Sequence, residues 1–104
     1  MTLPIYVITG ASKGLGRALA LQMAEQGHTI FALARPSKEL NEVESLLQSS
    51  SEDSMSIECD LSDLDSIAAA SDIIKANASF IAGVVHNAGA VTPVKPIEGA
   101  AAEE

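Results

Sequence analysis

The chain is 104 residues long, enough for one domain core, and 47% of it is apolar with only 3% aromatic, so it is expected to fold around Leu, Ile, Val and Ala. Fourteen acidic against six basic residues give a net charge of −8, which argues against nucleic acid and anionic membranes as partners. The single cysteine, Cys59, rules out an internal disulfide and a multi-cysteine zinc site; with no basic leader and no apolar run near the ~18 residues of a membrane span, a soluble cytoplasmic protein is expected.

Residues 4–9 (PIYVIT) form a short β-branched apolar run ending at a glycine, which reads as a buried strand. From Gly14, Leu15, Leu19 and Met23 recur at four-residue spacing and Gly27 stands at a C-terminal cap position, so the pattern predicts a helix over 14–26 with that stripe inward. Residues 29–34 (TIFALA) are a second apolar strand, closed by Pro36. Ser37 can cap a helix whose apolar positions are Leu40, Val43, Leu46 and Leu47. The small polar residues 48–54 read as a loop, and residues 55–59 as a third strand. After Ser62 comes a third amphipathic stretch lined by Leu64, Ile67, Ala70, Ile73 and Ile74, with Asp63 and Asp65 in its first turn. Residues 80–85 are a fourth strand, and Val91–Pro96 a proline-punctuated loop. Four strands alternating with three helices predict an α/β, doubly wound parallel sheet with right-handed crossovers, in the order 3-2-1-4. The first two helices fall on one face and the third on the other.

Between the first strand and first helix lies Thr9-Gly-Ala-Ser-Lys-Gly-Leu-Gly16. A chain leaving a buried strand straight into a helix needs a residue free in its backbone angles. A pyrophosphate must approach the next backbone without meeting a Cβ, and the helix must then sit close on the sheet. Gly10, Gly14 and Gly16 fit these tasks in order. The helix's unpaired N–H groups and positive dipole end then face the anion. No Gly-Lys-Ser/Thr follows, which excludes a Walker loop. Residues 1–38 net +3 (Lys13, Arg17, Arg35, Lys38 against Glu25) while the rest nets −11 (Lys75 and Lys95 against thirteen carboxylates), a basic pole suited to a compact anion.

TGASKGLG resembles the TGxxxGxG fingerprint of the short-chain dehydrogenase/reductase superfamily. Asp60-Leu61 after the third strand resembles the family's adenine-contacting acidic element, and His86-Asn87-Ala88-Gly89 its NNAG element. The resemblance implies a Rossmann-type fold in which Gly10, Ser12, Lys13, Gly14, Leu15, Gly16, Arg35, Asp60, Leu61, Asn87, Ala88 and Gly89 surround a dinucleotide. At the end of the second strand, where a carboxylate would hold the adenine ribose of NAD, stands Arg35, and Lys13 is the family's second basic position. Both favour NADP(H), through charge-assisted contacts of about 1.5–3 kcal/mol each. His86 departs from the usual asparagine and is expected to be packed and hydrogen-bonded at a buried strand end.

The family's reaction is hydride transfer at a carbonyl or alcohol, using a Tyr-x-x-x-Lys pair and a serine. The only tyrosine here is Tyr6, with Gly10 four residues on. No catalytic residue is therefore assigned. Residues 1–104 are expected to be the cofactor-binding half of an NADP(H)-dependent reductase, halting at the start of the helix after strand four, with strand four as a bare apolar edge. The segment from Asn87 is similar to the benzil reductase and sepiapterin-reductase-like branch, implying a small-molecule carbonyl substrate, and the complete enzyme is expected to be a homo-oligomer. The alternatives are a non-catalytic dinucleotide-binding module and a non-functional truncated product.

Overall fold

The computed structural model of the protein describes residues 4–87. Four strands, β1 (Ile5–Thr9), β2 (Thr29–Ala34), β3 (Met55–Glu58) and β4 (Gly83–Val85), alternate with three helices, α1 (Gly14–Glu25), α2 (Lys38–Ser50) and α3 (Leu64–Asn77). All strand pairings are parallel, and the order is β3-β2-β1-β4. This is the Rossmann-type arrangement expected.

The period-two alternation of the strands sorts the core into two layers. Ile8, Ile30 and Ala32 face α1 and α2, where they meet Ala20, Ala24, Leu40, Val43 and Leu47. Ile5, Val7, Phe31, Leu33 and Ile57 point the other way, toward Ala70 of α3, with Ile67 and Ile74 packed alongside. Both crossover faces are thus as predicted, and β1 and β2, buried on both sides, read as unbroken apolar runs for that reason.

The buried stripe of α1 is not the predicted one. Gly16, Ala20 and Ala24 face the sheet, whereas Leu15 is 77% exposed and Leu19 and Met23 only flank the core. The glycine turn brings the helix so close to β1 that only small residues fit beneath it. At the far end Gly27 (φ +98°) closes α1 as expected, with the Gly27 N–H donating to Ala24 O and the His28 N–H to Met23 O.

Three further expectations need correction. The polar run 48–54 is helical as far as Ser50, and its remaining residues pin the turn. The Gln48 side chain donates to Ser54 O at 3.0 Å, the buried Ser54 hydroxyl accepts from Ile30 N at 2.9 Å, and Glu44 accepts from Ser56 N on β3. β4 begins at Gly83, not Phe80, because Tyr6 is level with Gly83 and Ala82 N–H already donates to Ile5 O at the start of β1. Residues before Ala82 have no strand beside them, and Phe80 is exposed. Leu46 and Ile73 are also exposed, and Leu64, the first residue of α3, is exposed at 82%, directly after the cap residue Asp63. β3 and β4 are the outer strands of the described sheet, and Val84 on β4 is exposed.

Candidate functional site

Ligands of open α/β sheets bind beyond the carboxyl ends of the strands, and the turns leaving β1, β2, β3 and β4 all arrive there. β1 ends at Thr9 and passes through Gly10 (φ +64°) into a loop reaching α1 at Gly14 (φ +65°), two backbone conformations that side-chain-bearing residues rarely adopt. A Cβ at Gly10 or Gly16 would collide: the one with the Asn87 carbonyl, the other with the Gly10 carbonyl and Asn87 Nδ2. At Gly14 nothing lies within 4 Å of that position. Gly10 and Gly16 therefore close the turn, and Gly14 leaves open space in front of the helix.

The helix N-termini differ in how they are finished. Ser37 caps α2, accepting from Leu40 N at 3.0 Å, with Glu39 in the first turn. Asp63 caps α3, accepting from Asp65 N, with Asp65 in the first turn. At α1 the cap residue is Lys13, no side chain accepts from the helix, and the first turn holds no acid. Its leading N–H groups have no intrahelical partners, and they face the space kept clear at Gly14 with a cation beside them. Such an end suits a phosphate diester, so the residues present fit the phosphate portion of a dinucleotide.

The other predicted residues gather round this end. Ser12 is half-buried in the loop, and Lys13 and Leu15 are exposed. The loop is tied to the end of β2 by Ala11 N–H donating to Leu33 O at 3.3 Å, two residues before the exposed Arg35. Asp60 and the exposed Leu61 follow β3 in the adjacent position. Both the hydroxyl (2.6 Å) and the backbone N–H (2.9 Å) of Ser62 donate to Asp60 Oδ1. These bonds hold its carboxyl below the usual carboxylate range against a smaller opposing effect of desolvation, and the nearby Arg35 charge adds to the lowering. Asn87 Nδ2 donates to Gly10 O at 3.3 Å. Ala88, Gly89 and the Val91–Pro96 loop lie outside the described residues.

Thr9 was not singled out by its sequence context, yet it joins the two central turns. Its buried hydroxyl accepts from Asn87 N at 2.8 Å and lies 3.1 Å from His86 Nδ1. Partners 77 and 78 residues apart leave no signal in a local pattern. His86 is hydrogen-bonded as expected but exposed rather than packed, since it lies just past the end of β4. Tyr6, in contrast, packs against the core, its ring edge-on to His28 at 5.0 Å and close under Gly83.

Residues 4–104 match the short chain dehydrogenase family. The chain belongs to that family. Among its short-chain dehydrogenase relatives, it is 36% identical to the benzil reductase ((S)-benzoin forming) of Bacillus subtilis (strain 168), over 96% of this chain and 39% of that protein. It is 54% identical to the NADPH-dependent pterin aldehyde reductase of Arabidopsis thaliana over 44 residues, 42% of this chain and 18% of that protein. The L-sorbose reductase of Gluconobacter frateurii, solved in complex with NADPH and L-sorbose, superposes with a TM-score of 0.74 at 26% identity, covering 94% of this chain and 38% of that one. The chain thus spans about two fifths or less of the length of these relatives. Among the described residues no helix is long and apolar enough to cross a membrane.

Proposed function

We propose that this chain is the NADP(H)-binding part of a short-chain reductase acting on a small carbonyl compound, of the diketone or pterin-aldehyde kind. The observation that carries the reading is the unfinished N-terminus of α1: no cap, no acid, Lys13 beside it and open space at Gly14. Capping carboxylates at this end, as at α3, would repel a phosphate. Arg35 at the end of β2 supports the phosphorylated form of the nucleotide, since a guanidinium pairs with a 2′-phosphate where a carboxylate would pair with ribose hydroxyls. The names of the pterin aldehyde reductase and the NADPH-bound sorbose reductase point the same way.

When bound, the nicotinamide would supply a hydride to the substrate carbonyl. The loop N–H groups would hold the pyrophosphate, Lys13 and Arg35 the 2′-phosphate, and Asp60 with Leu61 the adenine. The proton would come from residues beyond this chain, because Tyr6 is packed in the core and no Tyr-x-x-x-Lys occurs within the 104 residues. That same fact favours a second reading for the chain by itself, a dinucleotide-binding module without turnover.

Titration with NADPH and NADH tests the nucleotide binding that both readings share. Saturable quenching of NADPH fluorescence is expected, with NADH weaker by at least tenfold, and Arg35→Asp is expected to lose NADPH affinity far more than NADH affinity. Equal losses would refute the role of Arg35. Oxidation of NADPH by benzil, were this chain to catalyse it unaided, would refute both the binding-module reading and the placing of the proton donor outside it.

A further inference from the structure

The turns after β1 and β4 meet through one buried hydroxyl. Thr9 Oγ1 accepts from Asn87 N at 2.8 Å and lies 3.1 Å from His86 Nδ1. Asn87 in turn lies against Gly10: its side chain donates to Gly10 O, and its carbonyl fills the place where a Cβ at Gly10 would fall. A threonine hydroxyl has one proton to give, and among the described residues its acceptor is His86 Nδ1. Buried polar groups are paired. The hydroxyl therefore donates to Nδ1, and the neutral imidazole of the exposed His86 carries its proton on Nε2.

This pairing holds only while Nδ1 keeps its lone pair. Histidine changes charge between about pH 8 and pH 5, and once protonated both ring nitrogens are donors. An Nδ1–H aimed at Thr9 Oγ1 would leave the buried hydroxyl proton without an acceptor, and a ring that swings out into water would orphan it equally. We infer that Thr9 and His86 form a proton-sensitive latch: with the imidazole neutral it fixes Asn87 over the glycine turn, and in acid it releases, so that nucleotide affinity falls. The affinity part rests on the dinucleotide reading above; the latch itself does not. On the elements that meet here the charged groups are Lys13 in the glycine turn, Arg17 on α1 and Arg35 beyond β2, all cations. Glu25 stands at the far end of α1, and Tyr6 of β1 packs against His28. Among the described residues no carboxylate is hydrogen-bonded to the imidazole to favour its charged form. An imidazolium would also attract a phosphate, but on an exposed ring that attraction is screened by water and salt, whereas the Thr9 hydroxyl is buried, so the loss prevails.

The test compares the native 104-residue chain with His86→Asn, whose amide oxygen can accept from the Thr9 hydroxyl but takes up no proton. His86 is exposed, so the change removes no core packing. First, ¹⁵N NMR of the native chain at pH 8, where the only histidines are His28 and His86, should show His86 with its proton on Nε2; a proton on Nδ1 overturns the inference without any variant. Second, between pH 8 and pH 5.5 the thermal midpoint of the native chain should fall by about 4 °C or more beyond that of His86→Asn, the shift one unpaired buried group produces in a domain of this size. His28 titrates in both proteins and cancels. Third, calorimetric titration with NADP⁺ over the same range should show the native dissociation constant rising about tenfold and that of His86→Asn about threefold or less, the 2′-phosphate's own titration being common to both. Parallel pH profiles of the two proteins overturn the latch, and a native affinity that rises in acid relative to the variant overturns its link to the nucleotide. A native chain with the expected tautomer and stability profile that binds no NADP⁺ at pH 8 upholds the latch and refutes the dinucleotide reading instead.

Discussion

Gly16→Ala adds one methyl group at the point where α1 comes nearest to β1 and β4. An ideal Cβ there meets the Gly10 carbonyl oxygen at a distance no real structure tolerates and lies 2.5 Å from Asn87 Nδ2. The first of these is backbone and cannot swing away. The second is the group that ties β4 to the glycine turn through its bond to Gly10 O. Relief requires α1 to lift from the sheet, which also opens the contacts of Ala20 and Ala24 beneath it. Overpacking of this kind costs about 1–3 kcal/mol, and the helix propensity of alanine over glycine returns at most ~1 kcal/mol, so a net loss of about 1–2 kcal/mol is expected. Gly14→Ala provides the control. Its methyl group meets nothing, but the residue must hold φ +65°, at about 1–2 kcal/mol for an L-residue. Stability should therefore fall by similar amounts in both variants, for different reasons. Urea unfolding followed by circular dichroism measures these losses, and replacing Gly14 by d-alanine through chemical synthesis should remove the second loss but not the first. A Gly16→Ala variant within 0.5 kcal/mol of the native protein, on the scale of ordinary surface substitutions, would refute the account of the close approach.

Thr9→Val removes the acceptor of the Asn87 N–H, so it should cost about 1–3 kcal/mol and weaken NADPH binding, measured by unfolding and titration on one sample. Ser54→Ala leaves the buried Ile30 N–H without its acceptor and should destabilise by a similar ~1–3 kcal/mol with no effect on nucleotide affinity, because it lies at the amino-terminal end of the strands, opposite the carboxyl-terminal end that carries the glycine turn. Ser37→Ala removes the α2 cap, for about 1 kcal/mol, again by urea midpoint. The folded-state pKa of Asp60 lies below its ordinary value of 3.8. Its contribution to stability is therefore present above that value and is lost as pH falls through the folded-state pKa. Unfolding free energy measured between pH 3 and 6 should fall less steeply at the acid end in Asp60→Asn, and superimposable profiles would contradict the effect.

What could be read in the sequence, and what could not, divides along a physical line. Local chain chemistry was legible: Gly10 and Gly14 adopt positive φ where the turn requires it, Gly27 stops α1, Ser37 caps α2, and alternation along β1 and β2 sends Ile8 and Val7 to opposite faces. Hydropathy misled where distance between elements, not polarity, decides burial. Leu15, Leu19 and Met23 make the stronger apolar stripe of α1, but the helix is held too near the sheet for them, and Gly16, Ala20 and Ala24 take the buried face. Contacts between distant residues left no trace at all. Thr9 reads as the last residue of a strand, Ser54 as a loop residue and Ser62 as the residue that precedes a helix. Each instead uses its hydroxyl to secure another segment: the turn after β4, the start of β2, and Asp60. A hydroxyl carries little hydropathy signal in either direction, so its role emerges only when the fold brings its partner within 3 Å. The glycine turn is the link between the two classes, because the same absence of a Cβ that announces it in the sequence sets the helix-to-sheet distance that hydropathy could not foresee.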